Sequence, residues 1–309
     1  MALLSTRSSR AASPAIALVL ASVLWGTTGT AASFFGDEVS PVAIGASTMA
    51  VGGLLLFAVS AKAALAAVCD RRTRPWLFLG ALGVIAYPLA FYSAMDLAGV
   101  AIGNVIALGS GPVFAAMFEW LWERHRLPRR GLISMVIAIA GVALLGLFGH
   151  RDAADGGQHN VPVGVLLGLV AGLSYALYTY SSTRVIGHGH SGRAAMGGTF
   201  GLGAIGLLPV LLLTGAPLVS SASNISIAAY LALGPMFLAY LFFGAGLGSI
   251  RSSTVTTITL LEPVVATVLA VAIVGERLTP VGWGAIVVIL LGVSVLATAR
   301  PSEKIAPGT

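Results

Sequence analysis

The residue of this sequence best placed to do chemistry is Glu262, which lies near the middle of an apolar run between Ser252 and Val274. A carboxylate at that depth in a bilayer costs roughly 3 kcal/mol on insertion scales unless it is paired, hydrated or protonated, so such residues face cavities and serve function. Three roles are open to it: carrying a coupled proton, opposing the charge of an ammonium substrate, or bonding as a neutral acid to backbone groups freed where Pro263 interrupts the helix. Asn104 is a neutral counterpart, able to hydrogen-bond a substrate or to make an interhelical hydrogen bond. Aromatic and hydroxyl residues supply the remainder of a pocket. Ser22, Trp25, Thr28 and Gly29 share one helical face, and Tyr175, Tyr178, Thr179 and Ser182 share another at i, i+3, i+4 and i+7. Tyr87 and Tyr240 add two further rings. Ring faces hold cations or aromatic groups, and hydroxyls orient them. Trp76, Trp120 and Trp283, near span ends, read instead as interfacial anchors. The expected substrate-binding set is therefore Trp25, Thr28, Tyr87, Asn104, Tyr175, Tyr178, Tyr240 and Glu262.

Catalysis lacks its parts. Gly109-Ser110-Gly111 superficially matches an intramembrane serine hydrolase, but all histidines (125, 150, 159, 188 and 190) fall in loops, which leaves no base at depth. One cysteine, Cys69, cannot form an intrachain disulfide, and no Cys/His cluster has zinc spacing. No phosphate-binding lysine loop occurs, so no ATPase is built in and no cofactor is expected.

The elements that must position these residues follow from composition. Of 309 residues 57% are apolar and 9% charged, with a mean hydropathy of +0.95, whereas roughly a quarter of a soluble domain is charged. The chain belongs in a lipid bilayer. Its 17 Lys and Arg against 11 Asp and Glu form no basic tract with aromatics, which argues against nucleic acid. Apolar runs fall at about 14–36, 40–61, 75–95, 97–118 and 131–149, then at 161–183, 194–219, 225–250, 252–274 and 279–299. The fold expected is an all-α membrane protein of ten transmembrane helices. With the amino terminus inside, all of the 17 basic residues except Arg151 and Arg277 become cytoplasmic, while Asp37, Glu38, Asp96, Asp152, Asp155 and Glu276 lie outside. Both termini are then cytoplasmic, and a plasma (inner) membrane location is expected. Arg7 and Arg10 before the first run could open a signal peptide, but no clear small-residue cleavage site follows, so that run is read as a retained span.

The sequence also repeats. At an offset of 151 residues Ser40, Thr48 and Gly52 meet Ser191, Thr199 and Gly203; Ala81-Leu82-Gly83 meets Ala232-Leu233-Gly234; Phe91 meets Phe242 and Pro112 meets Pro263. Arg126, Leu127, Gly131, Gly141 and Val142 meet Arg277, Leu278, Gly282, Gly292 and Val293, and one residue short of that offset Trp25-Gly26 meets Tyr175-Ala176. Five spans per copy make the second enter from the opposite face, giving two inverted five-helix repeats, 14–149 and 161–299, separated at His150 to Asn160. Such repeats recur in secondary transporters with a site at their interface near the midplane. Glu262 corresponds to Gly111, and Asn104 to Val255, so the two halves place their polar residues at different depths. Prolines 88, 112, 209, 235 and 263 fall inside spans and serve packing or hinging, while Gly164, Gly168 and Gly172, and Gly244 and Gly248, permit close helix crossing.

Trp25-Gly26, Ser174-Tyr175-Ala176, Leu261-Glu262-Pro263-Val264-Val265 and Gly275-Glu276-Arg277-Leu278-Thr279-Pro280 carry a resemblance to the EamA-type, ten-helix branch of the drug/metabolite transporter superfamily, over about residues 14–299. The resemblance implies a paired five-helix carrier exporting small metabolites, amino acids or drugs. Span two departs from it: many relatives carry an arginine a few residues after its proline, whereas Pro41 is followed here by Ser47 and Thr48. A channel would usually assemble its pore from subunits or charge rings, so the single acid and internal repeat indicate a carrier, as a monomer or weak dimer. A purely structural membrane role would leave Glu262 unexplained. No Lys or Arg lies at mid-membrane to meet a strongly anionic substrate. The expected function is efflux of amino acids or related zwitterions by alternating access, with export of lipophilic cationic drugs as the alternative. Small solutes, lipid and protons are the expected partners. An alkaline phosphatase reporter fused after residue 155 should be strongly active; low activity there would overturn the orientation.

Overall fold

The computed structural model describes residues 14–123, 160–247 and 261–298, with Ile258, Thr259 and single positions between 133 and 148. Among the described residues the chain is helical and contains no strand. In lipid no water is available to backbone groups, so each span must satisfy its own N–H and C=O groups as a helix.

The helices are α1 (Pro14–Gly26), α2 (Thr28–Ala32), α3 (Pro41–Cys69), α4 (Arg74–Ala98), α5 (Val100–Glu123), α6 (Val161–Gly187), α7 (Gly192–Thr214), α8 (Ala222–Leu231), α9 (Ala239–Leu247), α10 (Leu261–Leu269) and α11 (Pro280–Thr298). Seven helical stretches are long and apolar enough to cross a membrane: Ala15–Ala32, Pro41–Cys69, Arg74–Ala98, Val100–Trp122, Val161–Gly187, Gly192–Thr214 and Ala222–Phe243. The shorter apolar helices Leu261–Val274 and Pro280–Gly292 coincide with the last two expected spans. Most of the expected fifth span, 131–149, most of the 150–160 seam and the beginning of the ninth lie outside the described residues.

Several helices depart from straight spans, each with a local reason. The first is interrupted at Thr27, whose hydroxyl turns back to the carbonyl of Leu24 at 2.7 Å, a side-chain bond that competes with the helical ladder. The eighth passes through a π-helical segment, Ala232–Leu238, around Pro235, which has no N–H to give. The tenth element likewise ends in a π-helical turn, Ala270–Val274, and stops at Gly275 with φ +83°. Span two is longer than its expected 40–61, because the alanine-rich stretch to Cys69 continues as helix. Span seven is shorter, ending at Thr214 before a 3-10 turn, Ala216–Val219.

The residues identical between the two copies have structural work in common. Ser40 and Ser191 cap α3 and α7, accepting from Ala43 and Ala194 N–H, both at 3.2 Å. Gly52 and Gly203 mark exchange-related crossings. A Cβ on Gly52 would lie 3.0 Å from the carbonyl oxygen of Ala232, and one on Gly203 would lie 3.5 Å from that of Ala81, with Met236 and Val84 closer still. Helix pairing follows the same exchange: α3 packs on its mate α7, α4 on α6 as α9 does on α1, and α5 on α6 as α10 does on α1. Each of those helix pairs joins the two halves, so the described core is shared between them.

Connectivity fixes the two ends. The turn 70–73 between α3 and α4 and the turn 188–191 between α6 and α7 share one end, tied by His190 Nε2 3.1 Å from Asp70 Oδ2. The Arg72 N–H, and after it His190, hold the Asp70 carboxyl below the ordinary aspartate range. Its contribution is therefore present at neutral pH and fades as pH falls through the lowered value. Arg184 lies 5.2 Å over the Trp76 ring at the same end, giving Trp76 a partner within the protein. Trp120 and Trp283, 52% and 42% exposed, present their rings outward. The opposite end holds the 33–40 turn, Gly99 and the starts of α6, α8 and α11.

Close crossing makes one glycine a sharp test. A Cβ on Gly83 would lie 2.7 Å from the Ser174 carbonyl oxygen and 3.1 Å from Tyr178 N, so Gly83→Leu should lower stability by about 1–3 kcal/mol or more. Gly284, where an added Cβ would meet nothing within 4 Å, provides the control Gly284→Ala; thermal unfolding in detergent measures both.

Candidate functional site

A cavity of about 100 Å³ forms where α1 to α7, the π-helical segment Ala232–Leu238, α9 and α10 converge. One water needs roughly 10–15 Å³ of such space, so the cavity suits a small organic solute. Its lining contains Trp25, Thr28, Tyr87, Tyr175, Tyr178, Tyr240 and Glu262. Seven of the eight residues expected from sequence are thus brought to one place.

The rings form a continuous chain. Trp25 stands edge-on to Tyr240 at 5.1 Å and beside Phe243 at 5.3 Å. Phe200 bridges Tyr240 at 4.9 Å and Tyr178 at 5.3 Å. Tyr87 meets Tyr178 edge-on at 6.0 Å and stacks on Phe91 at 5.2 Å, while Tyr175 and Tyr178 are 5.2 Å apart. Two hydroxyl contacts lock the wall: Tyr178 and Tyr240 oxygens are 3.1 Å apart, and Tyr92 O–H donates to Thr48 Oγ1 at 3.5 Å. Edge-to-face pairs contribute about 0.5–1.5 kcal/mol each beyond area burial, so the wall is a preorganised surface.

Among the described residues Glu262 is the cavity's only acidic side chain, and no described Lys, Arg or His lines it. The helix bearing it is held against α1 at close range. A Cβ on Gly26 would lie 2.6 Å from Val265 Cβ and 3.0 Å from the Glu262 carbonyl oxygen. This contact explains why Trp25-Gly26 and Leu261–Val265 occur together: glycine lets the helices touch, and the adjacent Trp25 then faces the same space as Glu262. In the related position of the other half, Gly111 faces Tyr175, whose ring carbon would be 2.9 Å from an added Cβ.

Asn104 is placed elsewhere. It is fully buried on α5, outside the cavity lining, and neither its Oδ1 nor its Nδ2 has a hydrogen-bond partner among the described residues. Leu108, one turn further along the helix, reaches the cavity in its stead. Ser110 is buried and donates to the Ala107 carbonyl at 3.3 Å.

The lining also includes residues absent from the expected set: Thr48, Phe91, Tyr92, Thr179 and the methionines Met49, Met196 and Met236. Phe91 could have been found from its i+4 spacing to Tyr87. Methionines carry no such signal, because an unbranched apolar side chain fills core and cavity alike.

Apolar helices of membrane length arranged as two interdigitated repeats around an aromatic cavity define a multi-pass membrane transporter. Comparison with known proteins gives the family. The chain belongs to the EamA-like transporter family, whose pattern matches twice, at residues 12–147 and 162–298. It is 32% identical over 291 residues to "Uncharacterized transporter YwfM" of Bacillus subtilis (strain 168), covering 94% of this chain and 95% of that one. It is 27% identical over 169 residues to an "Uncharacterized transporter" of Clostridium kluyveri, covering 54% and 53% of the two chains. A solved crystal structure shares the fold with a TM-score of 0.61 at 22% identity, over 92% of this chain and 96% of its own.

Proposed function

We propose that the protein is a secondary transporter that exports small organic solutes bearing a protonated amine, with the cavity around Glu262 as its substrate site. The observation that carries this reading is a single carboxylate set in an aromatic wall with no basic residue among the described lining residues. A carboxylate opposes an ammonium group, and desolvated ring faces add about 2 kcal/mol of cation–π attraction. The same carboxylate can hold a proton when the amine leaves, which gives exchange of amine for proton across the two access states.

The accompanying architecture is ten spans in two inverted repeats, 14–149 and 161–299, in the plasma membrane with both termini cytoplasmic, as a monomer or weak dimer. Of the two substrate classes, the described lining favours lipophilic cations, because an amino acid would bring a carboxylate for which no described lining residue is a cation. The hydroxyl pair Thr48 and Tyr92 keeps amino-acid export as a second reading, since both can donate to a substrate carboxylate.

A matched pair of solutes separates them. In proteoliposomes, tryptamine should move faster than tryptophan by at least about tenfold, and an opposing pH gradient should drive its accumulation; Glu262→Gln should remove that accumulation. Equal or faster movement of tryptophan would establish the amino-acid reading. Gradient-driven tryptamine uptake unaltered in Glu262→Gln would leave Glu262 a structural role only, and movement of neither solute by folded protein would overturn the proposal.

A further inference from the structure

Glu276, in the turn between the π-helical segment Ala270–Val274 and α11, reaches into the other half of the molecule. Its carboxylate accepts hydrogen bonds from the backbone N–H groups of Val100 and of Ala101, the latter at 3.0 Å. These are the first two residues of α5, whose N–H groups have no intrahelical partner. An anion there also complements the positive end of the helix dipole. The turn that presents the carboxylate is itself fixed: Gly275 takes a positive φ of 83°, and Glu276 N–H donates to the Ala270 carbonyl at 3.1 Å.

A second bond between the halves lies at the same end. Glu38 Oε1, in the turn before α3, accepts from Asn224 Nδ2 of α8 at 3.0 Å. The elements joined by Glu276 are those that carry cavity residues: Leu108 lies on α5 and Glu262 on α10, and α2, bearing Thr28, packs through Gly29 onto Val100.

The repeat shows that the Glu276 bond is one-sided. At the repeat offset Glu276 corresponds to His125, and Val100 and Ala101 correspond to Arg251 and Ser252. The sequence therefore carries a histidine, not a carboxylate, at the position related to Glu276. In transporters of inverted repeats the two access states are reached by rocking one half against the other. Exchange of the halves' roles would not bring the same residue types together, so the bond can distinguish the two states.

We propose that Glu276 is an outer latch: it holds the ends of α5 and α10 together while the external side is closed and releases α5 when that side opens. The proposal rests on the transporter reading and on the orientation expected from the basic residues.

The test uses thiol accessibility and needs no substrate, so it stands apart from the transport assay. With the single cysteine replaced (Cys69→Ser), Thr28→Cys places a thiol in the cavity, and a membrane-impermeant maleimide is added to right-side-out or inside-out vesicles separately. Glu276→Gln should raise the labelling rate from the outer face about tenfold or more, as loss of charge-assisted hydrogen bonds implies. Val100→Pro, which removes one donor N–H at a position where helices accept proline, should raise it in the same direction with Glu276 intact. Unchanged labelling in both variants, at parental melting temperature, would overturn the latch, as would a rise confined to the cytoplasmic face.

Discussion

A carboxylate within the hydrocarbon layer costs roughly 3 kcal/mol on insertion scales unless water, a proton or a cation meets it, and Glu262 is where this chain accepts that cost. Much of the architecture around it follows. A cavity must exist beside it, so neighbouring helices cannot close into a solid core. The wall of that cavity is made from rings that are stiff and packed against each other. Helix α1 must also approach α10 closely enough to set Trp25 beside the acid, and Gly26 is the residue that permits it.

The second constraint is that the two halves pack through one shared set of crossings. Gly52 against Ala232 and Gly203 against Ala81 are the same crossing made twice, with donor and acceptor halves exchanged. Small residues at such crossings bring backbones together where lipid supplies no hydrophobic drive for association. Because the tightest pairs, α3 with α7 and α4 with α6, join different halves, movement of one half against the other must be carried by sliding or tilting at glycine-lined contacts.

Much of this can be read from the sequence, for physical reasons. Spans are legible because a bilayer imposes their length and composition, and the repeat is legible because caps such as Ser40 and Ser191, and crossings such as Gly52 and Gly203, tolerate few substitutes. The aromatic set is legible because large rings inside spans are uncommon enough to be counted by helical face. Asn104 falls outside the cavity because a polar residue within a span does not by itself tell which neighbouring helix covers it. The break at Thr27 and the π-helical segments are not legible. The Thr27 break and the segment Ala232–Leu238 arise from local choices, a hydroxyl turning back and a proline shifting the ladder, that apolar periodicity does not report. Nor does a span-by-span reading reveal Glu276, because its partners are backbone N–H groups, which look alike at every position of the chain.

The symmetry of the scaffold and the asymmetry of its chemistry have separate consequences. In the proposed alternating-access carrier, a scaffold of exchange-related contacts would give two states of similar packing energy, since the same crossings would be re-made on either side. Identical chemistry in both halves would then leave the two states without distinction, and a ligand with equal affinity for both shifts neither. The chain departs from identity at Glu262, opposite Gly111, and at Glu276, opposite His125. At the first of these the missing side chain is replaced in space by the ring of Tyr175, so the substituted position still supports the wall while one half alone supplies charge. A single acid viewed from two sides by turns needs no second copy; two acids so placed would repel each other in the same low-dielectric space, and one would have to stay protonated.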